Sequence, residues 1–100
     1  MKTKNEILRV LKEELPQLRN KYGIKTIGLF GSYSREEQSV GSDVDILVQF
    51  ERPVGFFKFI ALEEYLKERI GENVEIVTED ALKPYIKPRV MKDVVYVEGA

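Results

Sequence analysis

Residues 27–48 read IGLFGSYSREEQSVGSDVDILV, and the reading of this stretch decides the fold. Its first part belongs to a β-rich run, Ile24-Lys25-Thr26-Ile27-Gly28-Leu29-Phe30, which is followed at once by Gly31-Ser32. Ten residues later comes Asp43-Val44-Asp45, and Ile46-Leu47-Val48 continues it as an apolar strand predicted over 43–50. Side chains alternate along a strand, so Asp43 and Asp45 leave the same face, close enough to bind one cation or two neighbouring ones. Two carboxylates held together repel unless a divalent ion neutralises them, and hard oxygen ligands select Mg²⁺ or Mn²⁺. Taken alone, the same pair reads more readily as two exposed acids in a turn that opens a strand. Gly31-Ser32 changes that balance. A Gly-Ser pair straight after a buried strand lets the backbone turn into a helix start, where free N–H groups and the hydroxyl can hold triphosphate oxygens. An ordinary helix cap is the alternative for that pair.

Outward from this stretch the elements alternate. Ile7, Leu8, Val10, Leu11 and Leu15 have helical spacing over residues 4–15. Pro16 predicts a break there and a second segment over 17–21, with Gly23 as its stop. After a loop at Arg52-Pro53-Val54-Gly55, residues 56–70 predict an amphipathic helix with Phe56, Ile60, Leu62, Leu66 and Ile70 on one stripe, capped by Gly71. Residues 73–78 predict a third strand. Residues 83–95 predict a helix around Pro84 and Pro88, ending in a short extended Val95-Tyr96-Val97. The order is α, β, β, α, β, α, which predicts one α/β domain over residues 1–100 on a small mixed β-sheet flanked by helices.

Composition limits the chemistry. The chain has no Cys and no His, so disulfides, thiolate metal sites, the usual zinc ligand and the Ser-His-Asp triad are excluded. Catalysis must use carboxylates, lysines, hydroxyls and bound metal. With 16 Lys+Arg against 17 Asp+Glu, the net charge of −1 argues against a broad basic face that grips nucleic acid. No run approaches the ~20 apolar residues of a membrane span, and Met1-Lys2-Thr3-Lys4 is not followed by a signal-like apolar run. A cytoplasmic protein is expected.

Two-metal phosphoryl transfer calls for a further carboxylate near the attacking oxygen. Glu75, between Val74 and Ile76 on the third strand, is the best candidate and also the natural proton acceptor in a chain without His. A routine outward-facing strand position is its alternative, and Glu72 and Asp80 compete from loop positions. Arg35, four residues past Gly31, can donate to a triphosphate, or it can pair with Glu36 or Glu37 at the surface. Lys83, Lys87 and Arg89 read first as a solvated helix face, with phosphate or partner contacts as the alternative. Phe56, Phe57, Phe59 and Tyr65 read as core or partner-facing residues.

Gly31-Ser32, ten residues, then Asp43-x-Asp45 resembles the signature of the DNA polymerase β-like nucleotidyltransferase superfamily. The flanking Ile27–Arg35 and Ser42–Val48 text is similar to its minimal branch, the MntA-type proteins, and the likeness extends through Arg52-Pro53-Val54-Gly55 and Leu82-Lys83-Pro84. Two departures stand out: Ser34 and Glu36 occupy positions where many members have Ala and Gly, and Glu75 stands where many have Asp. The resemblance implies the polymerase β-like palm fold. It also implies a catalytic and metal-binding set of Asp43, Asp45 and Glu75, two Mg²⁺ ions, and ATP held by Gly31, Ser32 and Arg35. It further implies an antitoxin that transfers AMP to a tyrosine of a HEPN-family ribonuclease toxin. A binding-only antitoxin and a small-molecule nucleotidyltransferase of the antibiotic-modifying type are the alternatives.

Overall fold

The computed structural model describes residues 1–98. The first helix, α1 (Lys4–Tyr22), opens on a reciprocal cap. The Thr3 hydroxyl accepts from the Glu6 N–H at 3.2 Å, and the Glu6 carboxylate accepts from the Thr3 N–H at 2.9 Å. This box satisfies two donors that a helix start leaves free. Thr3→Ala is expected to cost about 1 kcal/mol, read as a lower urea midpoint at unchanged slope.

The break predicted at Pro16 does not occur, and α1 runs through it. Proline forfeits one backbone hydrogen bond to the preceding turn. Ile7, Leu11, Leu15, Leu18 and Tyr22 nevertheless form one continuous buried stripe across that point. Each fully buried side chain contributes roughly 1.5–3 kcal/mol, so packing outweighs the lost bond. Gly23 ends the helix as predicted, in the left-handed conformation with φ of 69°.

Strand β1 (Ile24–Phe30) is central, antiparallel to β2 (Val44–Phe50) on one side and to the short β4 (Val95–Tyr96) on the other. Strand β3 (Val74–Thr78) adds parallel to β2, giving the order β3-β2-β1-β4. The parallel pair requires a crossover, supplied by α3 (Phe56–Ile70). Together with α1, that helix forms the main core with Ile27, Leu29, Val44, Ile46, Val48, Val74 and Ile76 of the sheet. By alternation, Asp45, Leu47 and Gln49 point to the other face.

Of the stripe predicted for residues 56–70, Leu62, Leu66 and Ile70 are buried, but Phe56 is 72% exposed and Ile60 38% exposed. In these first turns it is Phe59, between them, that packs against the core and Phe50 of β2. The last helix is also shorter than predicted, Lys87–Asp93, because Pro84 precedes it and Pro88 sits in its first turn, where no N–H is needed. Val95-Tyr96 is extended as predicted. No helix among the described residues is long and apolar enough to cross a membrane.

Candidate active site

The chain leaves β1 at Phe30 and turns at once into a single-turn helix, α2 (Gly31–Ser34). Gly31 makes the turn with φ of +76°, a conformation that disfavours any side chain. It is also pressed against the neighbouring strand: a Cβ added there would overlap the Asp45 carboxylate. Tyr33 is buried despite its polar sequence neighbours. It is 1% exposed and anchors α2 to the core.

Register brings the acids together. Asp45 lies opposite Phe30 on one side and opposite Glu75 on the other. Paired residues share a face, and adjacent strands are about 4.8 Å apart, so Asp45 and Glu75 are side by side. Asp43 stands one residue before β2, because the ladder begins where the Val44 N–H donates to the Asn73 carbonyl at 2.8 Å. Its charge still reaches Asp45. Burial, then Glu75 and Asp43, pushes the Asp45 carboxyl from 3.8 up to about 6, with Arg35 acting in the opposite sense. Glu72 is engaged elsewhere, accepting from the Lys2 N–H at 3.0 Å, and Asp80 follows the far end of β3.

Among the described residues, no three acidic side chains converge into a ready-made metal cage. Asp43, Asp45 and Glu75 border an open sheet face, and such a set suits Mg²⁺, which takes one or two carboxylates and completes its shell with water and phosphate. The crowding that suppresses Asp45 ionisation is relieved by a cation, so the residues fit one.

Arg35 is paired as one of its two readings required, with a partner the sequence did not suggest. Its guanidinium reaches Glu37 at 3.3 Å and Asp93 at 2.7 Å. Ser34, also next to α2's end, donates to the Asp93 carbonyl. Asp93 closes α4 (Lys87–Asp93) and lies 58 residues from Arg35, so no spacing along the chain signals the pair. Glu36 adopts a left-handed φ of 59°, a conformation that glycine takes without strain. Glu36→Gly is expected to stabilise the fold by up to about 1 kcal/mol, read as a small rise in melting temperature.

A larger cavity of about 510 Å³ lies at the other end of the sheet, between Val48–Phe50, the loop at 51–55 and Thr78–Asp80. Its nearest lining residue on β2, Val48, is three positions along the strand from Asp45, roughly 10 Å.

The nucleotidyltransferase domain family matches residues 6–97. The chain belongs to that family. Among its relatives is the protein adenylyltransferase MntA of Thermococcus cleftensis, 45% identical over 97 residues that span 97% of this chain and 98% of the relative. A solved structure provisionally assigned as a minimal nucleotidyltransferase superposes with a TM-score of 0.75 at 31% identity, covering 90% of this chain and 92% of its own. A Shewanella oneidensis complex of a tri-AMPylated HEPN toxin with its MNT antitoxin shares the fold, with a TM-score of 0.60 at 22% identity, covering 97% of this chain and 70% of its own. The small mixed sheet with flanking helices is thus the nucleotidyltransferase architecture that the Gly-Ser and Asp-x-Asp spacing implied, and this nucleotidyltransferase is read as an enzyme.

Proposed function

We propose that this chain is a Mg²⁺-dependent protein adenylyltransferase that transfers AMP from ATP to a tyrosine of a HEPN-family ribonuclease toxin and thereby neutralises it. The observation that carries the reading is the register that sets Asp45 against both Glu75 and the Gly31-Ser32 turn. The name of the Thermococcus cleftensis relative supports AMP transfer to protein, and the Shewanella oneidensis complex supports a HEPN toxin as acceptor. The reaction is assigned to the cytoplasm, where ATP is held.

Asp43 and Asp45 would hold the metal, two ions in the full site, with Glu75 completing the set. When bound, Mg²⁺ offsets the charge on the α-phosphate and on the leaving pyrophosphate. The N–H groups of the Gly31-Ser32 turn and the Ser32 hydroxyl hold phosphate oxygens. The tyrosine oxygen attacks the α-phosphorus, the bond to the bridging oxygen breaks, and pyrophosphate leaves with that electron pair. The tyrosine proton passes to Glu75, which is exposed on the open face.

The test uses α-labelled ATP, Mg²⁺ and the protein encoded beside this one, with an Asp43→Asn, Asp45→Asn double variant in parallel. Label on a tyrosine of the neighbour, absent with the variant, is the expected result. A tight complex without label would establish a binding-only antitoxin instead. Label on a small molecule would establish the antibiotic-type reaction.

A further inference from the structure

Between the end of α2 and α4 lies a cleft of about 380 Å³ lined by Arg35, Arg89, Lys92 and Asp93. Three of its four residues are cationic, in a chain whose net charge is −1. Its one acid, Asp93, is taken up by Arg35 at 2.7 Å. Among the described residues neither Arg89 nor Lys92 has an acidic partner within ion-pair distance, although 17 acids are available in the sequence. Both therefore project unneutralised positive charge into a concave surface built jointly by α2 and α4.

Arg35 links this cleft to the acids. It follows the Gly31–Ser34 turn directly, and Gly31 at the start of that turn abuts the Asp45 carboxylate. The turn thus has the carboxylates on one side and the cationic cleft on the other. A metal-bound nucleoside triphosphate fits that division: the cation joins its α-phosphate to the carboxylates, and its β- and γ-phosphates extend towards the cleft. Resting on the proposed nucleotidyl transfer, we propose that Arg89 and Lys92, together with Arg35, form the subsite that receives the β- and γ-phosphates and holds the pyrophosphate as it leaves. Guanidinium groups suit this role because they donate two parallel hydrogen bonds to phosphate oxygens. The subsite distinguishes a triphosphate from a monophosphate, so it admits ATP and releases its hold on AMP once transfer has occurred. Asp93 keeps Arg35 in position while no phosphate is present.

The test is direct binding of inorganic tripolyphosphate, ATP and AMP by calorimetry in EDTA, so that no metal bridge contributes. The Arg89→Ala, Lys92→Ala double variant is expected to weaken tripolyphosphate and ATP at least tenfold and to leave AMP unchanged. Lys25→Ala, Lys58→Ala removes the same charge from exposed positions at the other end of β1 and at the start of the 56–70 helix. It is expected to leave all three affinities unchanged, and melting curves establish that both variants are folded. Equal tripolyphosphate binding by the parent and the Arg89, Lys92 variant would overturn the subsite, as would equal weakening by the Lys25, Lys58 variant. These outcomes are separable from failure of the enzyme itself. A subsite that fails while the parent still labels its acceptor leaves the transfer reaction intact. A parent that labels nothing while tripolyphosphate binding still depends on Arg89 and Lys92 removes the reaction and retains the anion site.

Discussion

Asp45→Asn is expected to lose transfer activity by about 10³-fold or more while the metal-free protein melts higher than its parent. The loss corresponds to the several kcal/mol of transition-state stabilisation that a metal ion supplies. The gain follows from the position of the carboxyl. In the fold it titrates at about 6, against 3.8 for an ordinary aspartate, because it is partly buried and faces Glu75 and Asp43. Folding therefore disfavours its ionised form. Below pH 3.8 the group is neutral in both folded and unfolded chains and the penalty is absent. The penalty builds between pH 3.8 and 6 and is complete above 6. The shift corresponds to roughly 3 kcal/mol at face value and to about 1 kcal/mol once the screening of a half-exposed group is counted. Asparagine keeps the shape without the charge, so the variant should melt about 4 °C above the parent at pH 7.5 and level with it near pH 3.5. Saturating Mg²⁺ should raise the parent and leave the variant unmoved. Thermal melts at the two pH values, with and without Mg²⁺, check each part. A variant that melts below its parent at pH 7.5 would contradict the penalty.

Gly31→Ala is the second large effect, and it strikes both stability and chemistry. The residue sits at φ of +76°, where a side chain costs about 1–2 kcal/mol. The new methyl would also overlap the Asp45 carboxylate and drive it from its place beside Glu75. A displacement near 1 Å in a catalytic group costs about 10²-fold in rate. The expected result is a loss of about 2 kcal/mol in urea denaturation and ~10²-fold in kcat/KM. Gly23→Ala provides the comparison. Its φ of +69° is as unfavourable, but nothing lies within 4 Å of the added carbon, so it should lose stability alone. Equal activity losses in the two variants would show that Gly31 acts through the backbone and not through Asp45.

Much of this was legible in the residues because the decisive signals are local. Strand β1 has the predicted bounds, the 56–70 helix and its Gly71 cap also agree, and β2 begins one residue later than predicted. The errors occur where distant packing overrides a local preference. Pro16 is a strong local breaker, yet it sits within a stripe from Ile7 to Tyr22 whose burial depends on a sheet that no short window reveals. Phe56 and Ile60 were assigned to the buried stripe, but in those turns Phe59 takes the inward place against Phe50. Tyr33 looked polar by its neighbours and is core because α2 turns it inward.

The candidate site divides in the same way. The spacing of Asp43 and Asp45 from Gly31-Ser32, with the strand that carries them, brought these residues forward as candidates. Glu75 was chosen by alternation, and the parallel register then set it opposite Asp45, which no count along the chain could reveal. The partner of Arg35 was out of reach for the same reason: Asp93 is 58 residues away and meets it only because α4 packs against α2. Glu36 was visible as a departure from the family, and its left-handed backbone supplies the reason.

The most direct test of the carboxylate site is a titration of the metal-free protein with Mn²⁺, followed by the paramagnetic resonance of the free ion. Binding should be present at pH 7.5, fall away as the pH drops through about 6 with protonation of Asp45, and weaken in Glu75→Gln. It should be lost in Asp43→Asn, Asp45→Asn. Undiminished Mn²⁺ binding by that double variant at pH 7.5 would contradict the assignment of these two aspartates as the metal ligands.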